Sequence, residues 1–483
     1  MHGSKFARLK ALILVFKISK KNMRFIKQIL PVIAVSGLIF GACSKEKSFS
    51  ENGILPPVDS LPTETVNDPL LDTALAYADD IYLWYKQIPA TFNPQQYADP
   101  NEVMVAIRDF SQEPGFPNPV DRWSFAIKQS VWDDVSSGIA EDFGMNVFFL
   151  SEGDLRIRFV DASSPAGRAG IRRGWKIKKI NGNTNMSTGN ADFIVDNVYY
   201  KPATTFTFEK PDGTTVDLSL NAASYLENPV FLDSVYTTGN KKVGYLVFNS
   251  FLGDTNQIYN SFNRIFNRFA QESVNEVVVD LRYNGGGYVS VQDKLANYLI
   301  NAAGNGQVMM NQQFNDKYTQ YNESTRFQKI GSLELNRIFF VVSSSTASAS
   351  ELLINNLDPF LDVKIVGPSP SYGKPVGYFP IPVGDWYVFP VSFRSTNSLG
   401  SGNYFNGFVP DKQTPDGLDK DWGDINEASF ASIIKYIGTG NFGSMPEIPG
   451  SRVGTGYKQR EVILGNRKLD APEFKGAIGN RPF

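Results

Sequence analysis

The sequence predicts an α/β protein built on a mainly parallel sheet, preceded by a β-rich domain and a small helical one. Three observations carry that expectation. Residues 226–435 alternate apolar strand-like runs with helical periodicity, as right-handed βαβ units require. Residues 135–225 change to short strands separated by turns, and residues 69–130 place apolar residues three and four apart. At 483 residues the chain is too long for one core. Its composition, 42% apolar, 13% aromatic and 20% charged, is that of a folded protein.

The N-terminal residues 1–43 read as a lipoprotein signal peptide. Met23-Arg-Phe-Ile-Lys-Gln is a short basic stretch, and Ile29 to Phe40 is an apolar run too short for a comfortable membrane span. Phe40-Gly41-Ala42-Cys43-Ser44 then resembles the lipobox of bacterial lipoproteins, with Phe40 where leucine is usual. Cys43 is the one cysteine in the chain and the expected lipidation site, which excludes an internal disulfide and a cysteine-based zinc site. A plain secretory signal with an incidental cysteine is the alternative. Met23 is a candidate true start, which would leave His2, the one histidine, outside the protein. Ser44 after the cysteine fits a lipid anchor in the outer membrane, on its periplasmic or surface face. Lys45-Glu46-Lys47 reads as solvated linker or as an export tag. Eight of the 47 basic residues and no acid precede Cys43, leaving 39 basic against 49 acidic residues beyond it. That balance disfavours nucleic acid as a partner.

Residues 44–68, polar and rich in Pro and Ser, are expected to be a tether. Residues 69–134 form the helical domain, with Leu71, Leu75, Ala78, Tyr82 and Tyr85 on one face, then Val103, Val105, Ile107 and Phe110. In residues 135–225, strands are expected at 147–150, 155–160 and 205–208, with a turn at Lys210-Pro-Asp-Gly213. The stretch from Ser164-Pro165-Ala166 through Gly170-Ile171 and Gly174 to Ile180-Asn181-Gly182 resembles the PDZ domain of bacterial proteases. The resemblance puts Phe143-Gly144-Met145 at the loop whose amides receive a peptide's terminal carboxylate. A PDZ-like domain kept only as a spacer is the other reading. Residues 226–440 carry strands at 243–248, 277–281, 338–342 and 363–366, with helices at 258–269, 291–300 and 351–357. Residues 441–483, rich in Gly and Pro, are expected to run over the surface.

The chemistry centres on two segments, Thr346-Ala-Ser348-Ala-Ser350-Glu351 and Tyr372-Gly373-Lys374. Ser348 lies where a strand gives way to a helix, so helix-start amides, Ala349 N–H first, can stabilise an oxyanion. Ser348 and Glu351 also fit a capping box, which accounts for those two residues alone. Without histidine, a serine nucleophile needs another base. Lys374 is the candidate, in a loop with apolar neighbours and no acid, because burial disfavours the charged amine. A third element, Asp280-Leu-Arg-Tyr-Asn284-Gly-Gly286-Gly287, ends a strand with exposed amides at the carboxyl edge of a parallel sheet. It matches neither the P-loop nor the dinucleotide fingerprint.

Together the Asp-Leu-Arg-x-Asn-x-Gly-Gly strand end, the serine segment and the Gly-Lys pair resemble the C-terminal processing peptidases, or tail-specific proteases. The resemblance spans roughly residues 135–435. It implies a crotonase/ClpP-like peptidase domain, Ser348 as nucleophile, Lys374 as base, and an oxyanion hole from Ala349 and Gly286. Polypeptides are the expected substrates; no cofactor and no metal is expected, and the acidic stretch Asp416 to Asp424 lacks calcium-loop spacing. The family often has glutamine four residues after the lysine, and Tyr378 stands there instead, a candidate for orienting Lys374. Two other readings compete. Ser371-Tyr-Gly-Lys374 is a literal S-x-x-K, but that pattern needs one helical turn and Pro370, Gly373 and Pro375 oppose it. A binding lipoprotein on the same fold, without turnover, is the second.

Overall fold

The computed structural model describes residues 67–443 and, beyond them, residues 462, 464–466, 468–469 and 476–479. The signal, Cys43 and nearly all of the tether lie outside the described residues.

Six strands form the central sheet, in the order Lys412–Gln413, Asp362–Gly367, Arg337–Val341, Glu276–Asp280, Lys241–Phe248 and Val230–Thr238. Neighbours run parallel except Val230–Thr238, which the sequence pattern did not reveal and which pairs antiparallel with Lys241–Phe248. Every residue of Glu276–Asp280 is buried, the mark of a strand covered on both faces. Alternate residues serve opposite layers. Val277, Val279, Ile338 and Phe340 pack against the helices Thr255–Gln271, Val289–Leu299 and Ala349–Leu357. Val278, Phe339 and Val341 meet the helix Ala428–Thr439 through Phe430, Ile433 and Ile437. The helix Thr255–Gln271 shows how directly pattern becomes packing. Asp254 caps it by accepting the N–H groups of Asn256 and Gln257, and Ile258, Phe262, Ile265, Phe266 and Phe269 form its buried stripe.

The N-terminal helices Pro69–Ile81 and Pro100–Ala106 pack on a three-stranded sheet of Phe125–Lys128, Trp386–Phe389 and Ile381–Val383. The helical stretch is thus completed by strands from far along the chain. Val105, expected on the apolar face, is 42% exposed, because the helix phase turns Val103, Met104 and Ile107 inward instead. Residues 145–221 form a five-stranded antiparallel meander with its own core, its short helix Pro165–Arg168 capped by the Ser164 hydroxyl. Two arginines bolt this meander to the central sheet. Arg158 donates to the Ser345 hydroxyl at 2.9 Å, and Arg173 donates to the Tyr283 hydroxyl at 2.6 Å and to Asp416 at 3.1 Å.

A second antiparallel sheet of Glu323–Arg326, Val308–Phe314, Phe393–Asn397 and Val376–Gly377 flanks the lysine segment. The C-terminal expectation needs correcting. Gly476–Ile478 is not surface chain but a buried strand, parallel to Gly286–Tyr288. Its small and aliphatic side chains, Ala477 and Ile478, join two apolar clusters.

Candidate active site

The site lies at the carboxyl edge of the central strands, where Glu276–Asp280 and Arg337–Val341 run out side by side. Below it, Arg282 is anchored by Asp280 at 2.7 Å and Glu427 at 2.8 Å, all three buried, and donates to the Asp416 carbonyl at 2.7 Å. That network occupies Asp416, giving the acidic stretch a structural duty.

The small residues after Arg337–Val341 are hydrogen-bonding devices. The Thr346 hydroxyl donates to the Leu281 carbonyl at 2.7 Å, the Ser350 hydroxyl donates to Asn284 O at 3.0 Å, and Ser343 donates to Arg282 O. Ala347 N–H adds a bond to Asn284 O at 3.0 Å. Larger side chains could not let the two strand ends lie this close.

Ser348 sits at φ 60° and ψ −108°, one of three non-glycine residues at positive φ among the described residues. Such a conformation costs about 1–3 kcal/mol and persists only where surroundings enforce it. The helix start has capping-box form, with the Glu351 carboxylate accepting Ser348 N–H at 2.8 Å. Yet the Ser348 hydroxyl makes no cap hydrogen bond and is buried without a hydrogen-bond partner, 1% of the residue being exposed. Capping therefore does not explain that hydroxyl. Ala349 opens the helix, so its N–H has no intrahelical acceptor.

Glu351 does more than the sequence suggested. Wholly buried, its carboxylate accepts the Ser371 hydroxyl at 2.5 Å and the N–H groups of Gly373 at 2.6 Å and Lys374 at 2.8 Å. One oxygen, Oε2, serves both Ser348 and Lys374. The serine and lysine segments are therefore tied through a single carboxylate. Burial raises its pKa even against these four donors. Ser371, the rival serine, spends its hydroxyl on Glu351 and accepts Phe408 N–H at 2.7 Å, and its segment is not helical.

Lys374 is 1% exposed, and burial holds its amine well below the usual lysine pKa. Asp121 and Glu351 pull the other way and Arg108 assists, but desolvation wins. The amine stands 3.6 Å from the centre of the Tyr378 ring and 5.7 Å from that of Trp123. Asp121 is itself held by Tyr82, at 2.8 Å, and by Ser124. The helical segment thus supplies much of the lysine's surroundings, a contribution no local motif announced.

Gly286, at φ +104°, needs to be glycine. A Cβ there would come within 2.4 Å of Gly476 O, 3.0 Å of Ala347 O and 3.1 Å of Ala349 N. The structure brings Gly286 and Ala349, the two residues expected at an oxyanion hole, near one another. Its own N–H donates to Asn284 Oδ1 at 2.9 Å, so that amide is already engaged.

A cleft of about 1210 Å³ runs from Gly285, Gly286, Tyr372 and Tyr378 to Gly144 and Met145 of the antiparallel meander. The expected carboxylate-binding loop departs from expectation in detail. The Phe143 side chain is in the core, and Gly144 N–H already donates to Asp142 at 2.7 Å. Asp142, Asp161 and Glu227 line the same wall, and desolvation with the two neighbouring acids pushes Glu227 up to about 7.

Residues 242–411 match the model of peptidase family S41, and residues 75–125 match the peptidase S41 N-terminal domain. A Staphylococcus aureus (strain N315) protein named as a probable CtpA-like serine protease is 25% identical over 259 residues, 53% of this chain and 49% of the relative. The chain thus spans about half the length of the curated relatives it matches. A crystal structure of an S41-type protein from Bacteroides fragilis NCTC 9343 is 22% identical, with a TM-score of 0.62 over 76% of this chain and 96% of that one. That likeness concerns the fold.

Proposed function

We propose that this chain, with residues 242–411 matching peptidase family S41 and residues 75–125 its N-terminal domain, is a serine endopeptidase of the C-terminal processing kind, using Ser348 as nucleophile and Lys374 as base. The observation that carries the reading is that Glu351 ties together two segments, one bearing a buried serine hydroxyl without a hydrogen-bond partner and the other a lysine whose charge is disfavoured by burial. Neutral Lys374 takes the proton as Ser348 Oγ attacks the scissile carbonyl, forming a tetrahedral oxyanion. Ala349 N–H is the first donor to that oxygen. The lysine then protonates the leaving amine, and water hydrolyses the acyl-enzyme by the same proton path.

Substrates are polypeptides of the cell envelope, reached by a protein lipid-anchored at Cys43, in this reading. The antiparallel meander acts as a PDZ-like wall of the cleft, with Gly144 and Met145 facing the bound chain. A terminal carboxylate there must displace Asp142 from the Gly144 amide and meets Asp161 and Glu227. Recognition of such a terminus therefore strengthens as pH falls through about 7, where Glu227 gains its proton. Incubation of an unstructured polypeptide with wild type, Ser348→Ala and Lys374→Ala tests the proposal: only wild type cleaves. Cleavage by all three assigns the chemistry elsewhere.

A further inference from the structure

The C-terminal strand Gly476–Ile478 is bound where a substrate backbone has reason to lie. On one side it pairs parallel with Gly286–Tyr288, Gly476 N–H donating to Gly285 O at 2.9 Å. On the other it meets the lysine side of the site, with Tyr378 N–H donating to Ala477 O at 3.1 Å and Gly479 N–H to Tyr378 O at 2.9 Å. The strand is thus gripped between the glycine segment and the residue lying against Lys374. Gly476 O and Ala349 N both face the place a Cβ on Gly286 would take, at 2.4 and 3.1 Å from it, so the strand and the expected oxyanion donor border the same glycine. Meanwhile Ser348 stays sealed although the cleft reaches Gly285, Gly286 and Tyr378.

We propose that residues 476–479 fill in cis a strand-accepting slot, between residues 285–288 and Tyr378, that belongs to the substrate, and that substrate enters by displacing them. This deepens, and rests on, the Ser348 peptidase reading. Strand exchange of this kind is β-augmentation, in which main-chain hydrogen bonds supply affinity and alternate side-chain pockets supply selectivity. The slot's own occupant states that selectivity. Ala477 packs among Val289, Met310, Leu352 and Phe393, a pocket for a small side chain. Ile478 joins the apolar cluster that includes Tyr378 and Leu252. At Gly479 a Cβ would come within 2.8 Å of the Phe393 ring. The substrate class is accordingly an extended segment reading small, aliphatic, glycine.

The test compares the full chain with one ending at Ala471, and with Gly476→Pro in the full chain, which removes the donor to Gly285 O and sets a ring into the buried strand, loosening it from the slot. A fluorophosphonate probe reports Ser348 directly. The slot reading expects labelling at least about three-fold faster in both altered forms, and inhibition of the shortened chain by the synthetic peptide Lys-Gly-Ala-Ile-Gly-Asn-Arg-Pro-Phe. Should the shortened chain fail to fold, Gly476→Pro and its labelling rate decide. Equal or slower labelling in Gly476→Pro overturns the slot reading and leaves the peptidase reading standing. No labelling of Ser348 in any form strikes the peptidase reading, and this one falls with it.

Discussion

The Lys374 amine stands 3.6 Å from the centre of the Tyr378 ring, four residues further along the chain. A flat aromatic face, rather than a hydrogen-bonding amide, fills the position beside the lysine. It also walls the amine from water, which matters more than its cation–π attraction, since the net effect on Lys374 is a lowered pKa. Tyr378→Phe keeps the wall and is expected to retain activity within about three-fold. Tyr378→Ala admits water, and its activity is expected to fall about ten-fold or more, the acid limb of the pH–rate profile moving upward.

Burying Lys374 costs stability, and that cost is measurable. Its folded pKa lies below its unfolded value, so the folded state binds fewer protons and wild-type stability rises with pH between the two. Lys374→Met is expected to abolish cleavage while raising Tm by roughly a few °C at neutral pH. The gain should shrink as pH approaches about 10.4, the unperturbed lysine value. Calorimetry at pH 7 and pH 10 reads both the sign and its pH dependence.

Glu351→Gln tests the bridge. An amide presents one oxygen and one NH2, so two of the four donors now facing carboxylate oxygens lose their acceptor. Each buried donor left unsatisfied costs about 1–3 kcal/mol. Activity should fall about 10²-fold with a lowered Tm, in a steady-state assay beside a melting curve. Unchanged activity would show that the bridge positions nothing.

Gly286→Ala tests the close approach at the glycine segment. The added methyl meets backbone oxygens of Gly476 and Ala347, which cannot rotate away, at a positive φ that disfavours alanine. Overpacking of about 1–3 kcal/mol is expected, with a loss of activity larger than the loss of stability predicts.

Much of the fold was legible because single periods dominate it. The run Glu276–Asp280 is buried on both faces and reads as such, and the stripe of Thr255–Gln271 could mean only an amphipathic helix. Motif spacing singled out the segments of Ser348 and Lys374, and the structure joins those two segments through Glu351. What escaped shares one cause: it depends on partners distant in sequence. Glu351 looks like a local cap until Ser371, Gly373 and Lys374 fold over it. Phe125–Lys128 becomes a strand by pairing with Trp386–Phe389, and Gly476–Ile478, three residues in a Gly/Pro-rich tail, by pairing with Gly286–Tyr288. Val105 shows the smaller failure, where a correct helix was given the wrong phase.

The dyad itself is tested most directly by the rate of Ser348 labelling with a fluorophosphonate across pH 5 to 10, in wild type, Lys374→Ala and Ser371→Ala. Wild type is expected to label at Ser348 alone, more slowly at acid pH as Lys374 takes up a proton. Labelling is expected to fall by more than about 10³-fold in Lys374→Ala, while Ser371→Ala still labels at Ser348. Labelling at Ser371, or a Lys374→Ala protein labelled at the wild-type rate with the same pH profile, would contradict the dyad.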